Sequence, residues 1–152
     1  MERKKSHFLV KLIAIALVIS LSVPIGAQAA VSETVQPMAS AYLWDYRAYI
    51  CAMGNGDLEI WWEVTGTDYW ADIGVLSVYL YESTDNGNWG WVKTFQFTTY
   101  ENMLAHNTYF CMSHVDYDGV PGRYYKAYVH IWAGPEDGGD GRYIWTPVER
   151  CT

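Results

Sequence analysis

The chain has 152 residues and is acidic once its N-terminal segment is set aside. Residues 30–152 carry six of the ten Lys/Arg and sixteen of the seventeen Asp/Glu, a net charge of −10 with His neutral. This balance excludes nucleic acid and anionic membranes as expected partners, because both attract basic patches. The same residues contain all eight Trp and all thirteen Tyr, which is enough apolar area for one domain with its own core.

The first 29 residues have the pattern of a secretory signal peptide. Arg3, Lys4 and Lys5 give a positive start, residues 12–21 are apolar, and residues 27–29 read Ala-Gln-Ala, a cleavage site. The apolar stretch is shorter than the roughly 18–20 residues of a membrane-spanning helix. We therefore expect cleavage, release to the extracellular space and no membrane contact afterwards. Residues 30–43 are predicted to be a flexible segment and residues 44–152 a β-sandwich domain.

Apolar and polar residues alternate along most of residues 46–148, a pattern typical of half-buried strands. One helical turn is predicted at residues 101–105, and Asn55-Gly56 is a strong hairpin signal. Strands are predicted at residues 46–53, 58–64, 73–82, 89–97, 107–117, 123–133 and 142–148. Seven short strands separated by turn residues at near-regular spacing indicate an all-β, antiparallel sandwich.

The sequence VPGRYYKAYV at residues 120–129 resembles the start of the sixth strand in fibronectin type III and related immunoglobulin-like domains. Those domains have an apolar residue, a Pro-Gly turn and a corner tyrosine followed by small and β-branched residues. The resemblance implies a seven-stranded antiparallel immunoglobulin-like/fibronectin type III-like sandwich. Tyr125 would be the corner tyrosine, with Ala127, Val129 and Ile131 facing inward. Because Ala127 stands where antibody domains have a cysteine, their intersheet disulfide is absent.

A longer stretch, residues 55–133, resembles a group of small secreted proteins of Gram-positive bacteria. The similarity rests on VTGT at 64–67, IG at 73–74, ES at 82–83, NG at 86–87, WVKT at 91–94 and GVPGR at 119–123. No activity is assigned to that group, so this resemblance implies no mechanism.

Cys51, Cys111 and Cys151 follow the predicted cleavage site, in a compartment that permits disulfides. An odd number leaves one thiol over or forms one bridge between chains. In the implied fold the ends of the chain run side by side, which favours a Cys51–Cys151 disulfide with Cys111 as a buried thiol. Three reduced core thiols are the alternative.

No catalytic motif is visible in the sequence. Glu59 and Glu63 flank Trp61, but four residues along a strand span roughly 13 Å, whereas glycosidases place their two carboxyls about 5–9.5 Å apart. Cys111 and His114 are three residues apart on one predicted strand and so face opposite ways. Histidine spacing suited to zinc is also missing. We expect no enzyme activity, no cofactor and no metal site.

Residues 134–141 form a loop rich in glycine and acidic residues. Carboxylates and flexible carbonyls are what Ca²⁺ uses, but the acid spacing of an EF-hand is absent. A flexible polar loop is the favoured interpretation, and calcium binding is the open alternative.

Aromatic residues are expected to form one exposed surface. If Ala127, Val129 and Ile131 face inward, the alternate residues of that strand face outward. In the implied fold the third strand is a neighbour of the sixth, so its outward tyrosines join the same surface. The candidate binding residues are Tyr79, Tyr81, Tyr124, Tyr128 and Trp132. Such patches mark interaction sites, although cross-strand aromatic pairs also stabilise a sheet.

The sequence thus predicts a secreted, non-catalytic binding module, with an unknown protein or glycan as its partner. A protein partner is favoured. The first alternative is a carbohydrate-binding module that uses the aromatic surface, and the second is a small secreted toxin or inhibitor, which has no positive support. Coplanar rings with a polar rim would indicate a glycan, and a continuous patch would indicate a protein.

Overall fold

A computed structural model describes residues 40–152. The predicted signal peptide, residues 1–29, and residues 30–39 of the predicted flexible segment lie outside the described residues. Strands make up 71% of the described residues and one 3-10 turn 3%, which confirms the all-β class. Within residues 40–152, no helix is long and apolar enough to cross a membrane. The elements are β1 (Leu43–Gly54), β2 (Asp57–Ser83), β3 (Gly90–Gln96), the 3-10 turn η1 (Glu101–Met103), β4 (Leu104–Asp118), β5 (Tyr124–Gly134), β6 (Asp140–Trp145) and β7 (Glu149–Arg150).

The strands form one curled, antiparallel sheet. The long strand β2 runs from one end of this sheet to the other and pairs with four of the other strands. The first part of β2 lies between β1 and β4. Its last part lies between β3 and β5, and β5 in turn pairs with β6 and β7. The separate strands predicted at 58–64 and 73–82 are therefore parts of one strand of 27 residues, and that prediction of short strands is wrong here.

Residues 66–72 continue β2 although they contain Gly66 and two aspartates. The pairing register between β2 and β4 shifts between Thr65 and Trp70, so the residues between these two positions have no direct partner in β4. The indole of Trp70 folds over Gly66, where a Cβ would lie 2.8 Å from the ring, and its Nε1 donates to the carbonyl oxygen of Tyr42 at 2.9 Å. These contacts hold an extended conformation at residues that lie between the two strands predicted from the sequence.

The β1–β2 hairpin confirms the Asn-Gly prediction. Asn55 and Gly56 both have positive φ, 57° and 96°, as a type I′ turn requires. Gly54 and Asp57 are the last pair of the ladder.

The core lies on the concave side of the curled sheet. Ala127, Val129 and Ile131 of β5 are fully buried, as predicted, and so are Val78 and Leu80 of β2. β1 also touches β5, β6 and β7 without pairing with them. The two ends of the sheet therefore face one another across these apolar side chains.

Tyr125 ties the start of β5 to the turn before it. Its ring is fully buried, and its hydroxyl accepts the backbone N–H of Val120 at 2.9 Å. The same hydroxyl donates to Glu82 Oε2 at 3.1 Å, and Glu82 also accepts from Arg123. One buried hydroxyl thus joins the turn, β2 and β5.

Candidate functional site

A continuous group of rings covers the outer face of β5 and its neighbours. Strand pairing brings it together, since Tyr128 lies opposite Tyr79 of β2 and Trp145 of β6, and His130 lies opposite Tyr143 of β6. We call this group the aromatic cluster. Its members are six aromatic side chains and the lysine that contacts two of them: Tyr81, Trp89, Tyr128, His130, Tyr143, Trp145 and Lys126.

Several rings of the aromatic cluster are stacked on each other. The centroids of His130 and Tyr143 are 4.1 Å apart with 12° between the planes, and those of Tyr143 and Tyr128 are 5.1 Å apart with 21°. Trp145 lies 4.7 Å from Tyr128 and 5.4 Å from Tyr81, tilted by 33° and 53°. Nearly parallel rings this close overlap face to face, because rings lying side by side in one plane need wider spacing. His130, Tyr143 and Tyr128 therefore each have at least one face directed at another ring.

Lys126 supplies the positive charge of the aromatic cluster. Its Nζ lies 4.3 Å from the ring centroid of Trp89 and 4.7 Å from that of Trp145. Both distances are within the range of cation–π attraction. The ammonium group thus interacts with both indole rings.

His130 is the only imidazole of the aromatic cluster. Burial lowers the pKa of its imidazole, because the charged form loses hydration. Gly141 leaves room for this ring, since a Cβ at position 141 would lie 2.5 Å from the imidazole Nε2. The ring consequently fills the space above the glycine and stacks on Tyr143.

The structure separates the five predicted binding residues into a centre and two ends. Tyr79, Tyr81 and Tyr128 lie in neighbouring strands at the centre. Tyr124 is at the start of β5, with the guanidinium carbon of Arg150 5.8 Å from its ring centroid.

Trp132 lies eight residues further along β5 than Tyr124, roughly 26 Å away along the strand. A Cβ at Gly139 would lie 2.4 Å from the Trp132 ring, so this indole covers the loop before β6. The predicted surface is therefore continuous at its centre only.

Sequence reasoning missed the exposed part of the aromatic cluster. Tyr143 and Trp145 are each 49% exposed, more than the half-buried rings of β5. They alternate with the half-buried Ile144 in a predicted strand that follows the sixth strand directly. If the last two predicted strands had been paired as a hairpin, Tyr143 and Trp145 would have been placed beside His130 and Tyr128 on the outer face.

The three cysteines are free thiols, and the predicted Cys51–Cys151 disulfide is not formed. Cys51 follows the buried Ile50 in β1, so it faces the outer side and is half-buried. Cys151 is buried at 2% exposure, and its thiol contacts the carbonyl oxygen of Gly56. The two side chains lie on different sides of the sheet. Burial raises the pKa of both Cys111 and Cys151.

The carboxylates tested as a glycosidase pair have separate partners. Glu63 forms an ion pair with Arg47, and Glu59 accepts the indole N–H of Trp61 at 2.8 Å. Cys111 is buried whereas His114 is half-buried on the outer side. Cys111 and His114 therefore face opposite sides of β4, as predicted.

In the loop of residues 134–141, Asp140 forms an ion pair with Arg142. Among the residues that the structure describes, only Glu59, His114 and Asp116 bring three metal-donor atoms within 4.8 Å of one another. The calcium alternative for the loop gains no support from this geometry.

No protein-family model, no curated protein and no solved structure matches this chain. The resemblance to fibronectin type III domains consequently stays a prediction. What this molecule does has to be inferred from the exposure, ring geometry and charge of its own surfaces.

Proposed function

We propose that this chain is a secreted, non-catalytic interaction module that binds a protein partner through the aromatic cluster. The observation that carries the proposal is the orientation of the rings. His130, Tyr143 and Tyr128 stack in series, so each directs a ring face at a neighbour and the three do not lie side by side as one flat platform. A surface of this kind suits the side chains of a protein.

The composition of the aromatic cluster also favours a protein partner. Tyr and Trp are enriched among the residues that dominate binding energy in protein interfaces. Tyr143 and Trp145 project beyond their neighbours, yet both belong to a paired strand and contact other rings. Their conformations are restricted before binding, which reduces the entropy lost on association.

The proposed fold is an immunoglobulin-like sandwich in which β2 runs through both sheets. One sheet would contain β1, the first part of β2 and β4, and the other β3, the last part of β2, β5 and β6. The hydrogen bond from Val120 N–H to the Tyr125 hydroxyl supports this assignment, because corner tyrosines bond backbone a few residues upstream. The aromatic cluster would then cover the outside of the second sheet.

The carbohydrate alternative requires sugar rings to lie on exposed aromatic faces. In the aromatic cluster the closest pairs use those faces for each other, with centroids 4.1 and 5.1 Å apart. Trp145 is 49% exposed, but Tyr128, Tyr81 and the Lys126 ammonium group all contact its ring. A glycan is therefore the second candidate.

Site-specific photo-crosslinking tests the proposal. A photoreactive phenylalanine analogue replaces Tyr143 in the secreted protein, and a matched protein carries it at Tyr109 of β4, which is also 49% exposed and lies outside the aromatic cluster. We expect irradiation of culture supernatant to give one discrete protein adduct from position 143 and none from position 109. Mass spectrometry then identifies the partner.

A second measurement separates protein from glycan. The Trp145→Ala variant, checked for folding by circular dichroism, is compared with the natural protein for binding to the identified partner and to immobilised polysaccharides. We expect loss of partner binding by at least about 10-fold, as for an interface hot spot. Absence of an adduct together with Trp145-dependent polysaccharide binding would overturn the proposal in favour of the glycan.

A further inference from the structure

We propose that Glu59, His114 and Asp116 form a divalent metal site of the zinc-binding type on the outer face of β2 and β4. The site is separate from the aromatic cluster and is independent of the proposed function. From the sequence we expected no metal site, because no pair of histidines has suitable spacing. The structure brings the donors together across two strands instead.

Strand register creates the donor set. Glu59 of β2 lies directly opposite Asp116 of β4, and His114 precedes Asp116 by two residues, so all three side chains project from the same face. One donor atom from each lies within 4.8 Å of the other two. His114 Nε2 and Asp116 Oδ1 are already 3.5 Å apart. Small rotations of side chains on a rigid sheet would close these atoms around one ion.

Trp61 positions two of the three donors. Its indole stacks on the His114 imidazole with 4.3 Å between centroids and 29° between planes. Its Nε1 donates to Glu59 Oε2 at 2.8 Å. Groups that orient metal ligands in this way commonly strengthen metal affinity by 10–100-fold. Trp61 is therefore a positioning residue for both the nitrogen donor and an oxygen donor.

The charge around the site is unbalanced without a cation. Asp57 lies opposite Asp118 two positions along the ladder from Glu59 and Asp116, so the two acidic pairs are neighbours on the same face of the sheet. Like charges directly opposite destabilise a sheet. All four acids line a surface cavity of about 300 Å³, and none of the described residues that line it is basic. A bound divalent ion would offset this repulsion.

The donor types select the class of metal. Ca²⁺ and Mg²⁺ prefer oxygen ligands only, whereas an imidazole nitrogen suits Zn²⁺ and related transition metals. Three protein ligands would leave a fourth position of a tetrahedral Zn²⁺ ion open to water. The imidazole therefore distinguishes this site from a simple acidic cluster.

Titration with Zn²⁺ by calorimetry, on the purified secreted chain, tests the proposal. We expect one Zn²⁺ per chain and at least about 10-fold weaker binding in His114→Ala and in Glu59→Gln. Trp61→Phe keeps a stacked ring but removes the N–H donor, and we expect about 10-fold weaker binding there too. The matched control is His106→Ala, which removes an exposed histidine that is also paired with an aspartate, Asp72, and should leave the affinity unchanged.

Imidazole NMR provides a second readout that does not depend on the variants folding. The ¹⁵N resonances of His114 should shift on adding Zn²⁺, while those of His106 and His130 stay in place. Equal Zn²⁺ affinity in the natural protein and His114→Ala would overturn the proposal, as would an unmoved His114 resonance. Ca²⁺ binding that is as strong as Zn²⁺ binding and insensitive to His114→Ala would reduce the site to an acidic cluster.

Discussion

Gly74 and Met103 approach so closely that a Cβ at position 74 would lie 2.3 Å from the carbonyl oxygen of Met103. Gly74 is in β2 between Leu104 of β4 and Trp132 of β5, and its φ is 146°. Met103 is fully buried at the end of η1. The absence of a side chain at position 74 is what lets η1 pack its methionine into the core beside β2.

Replacement of Gly74 by Ala should therefore destabilise the fold. The new methyl group collides with backbone, and the positive φ adds strain, so we expect a loss of at least about 2 kcal/mol in the free energy of unfolding. Urea denaturation followed by tryptophan fluorescence measures the change. Gly90→Ala is the matched control, because a Cβ there meets no atom within 4 Å. Equal stability of the two variants would refute the packing argument.

Tyr125→Phe tests the buried hydroxyl that joins the turn to β2. The variant keeps the ring but leaves the Val120 N–H and the Glu82 carboxylate each without one hydrogen bond. We expect a loss of about 1–3 kcal/mol in the free energy of unfolding. Tyr124→Phe, at the neighbouring half-buried tyrosine, should change it by less than about 0.5 kcal/mol. If both variants lose the same amount, the hydroxyl network does not stabilise the fold.

Local patterns predicted what depends on neighbours in the chain. Alternation placed Ala127, Val129 and Ile131 in the core, and Asn55-Gly56 marked its hairpin, since φ preferences and side-chain period are local properties. Continuity of β2 through Gly66 was not predictable in this way. It depends on the indole of Trp70 and on pairing with β4, both of which need the tertiary structure.

In the candidate sites, too, the sequence predicted what one strand determines and missed what depends on contacts between strands. Outward-facing Tyr128 followed from alternation within one strand, but its contacts with Tyr143 and Trp145 depend on the β5–β6 register. The metal-donor group needs Glu59 of β2 beside His114 of β4, which are 55 positions apart in the chain. Spacing rules search one segment at a time and cannot detect such cross-strand sets.

The thiols should react as three free cysteines of unequal access. Cys51 is half-buried on the outer face, whereas Cys111 and Cys151 are buried and have raised pKa values. Thiolates are the reactive form, so we expect Ellman's reagent to modify one thiol rapidly in the folded protein and three in denaturant. Cys51→Ser should abolish the rapid phase, and Cys111→Ala should retain it. Alkylation of a single cysteine in denaturant without reductant would instead reveal a disulfide.

His130 should make the stability of the protein depend on pH. Burial lowers its pKa in the folded state, so the unfolded chain binds a proton more readily below the ordinary histidine value of about 6.5. Protonation then favours the unfolded state. The contribution of His130 is complete above pH about 6.5 and is lost as the pH falls toward the folded-state pKa.

His130→Phe provides the comparison, because phenylalanine keeps an aromatic ring against Tyr143 but does not titrate. We expect the free energy of unfolding to fall more for the natural protein than for His130→Phe between pH 7.5 and pH 5.5. Urea denaturation at several pH values measures both curves, and imidazole NMR should give a His130 midpoint below 6.5. Parallel stability curves, or a midpoint at or above 6.5, would show that the stacked imidazole accepts a proton in the folded state at no cost. The ring stack would then have to accommodate a charged His130 within the aromatic cluster.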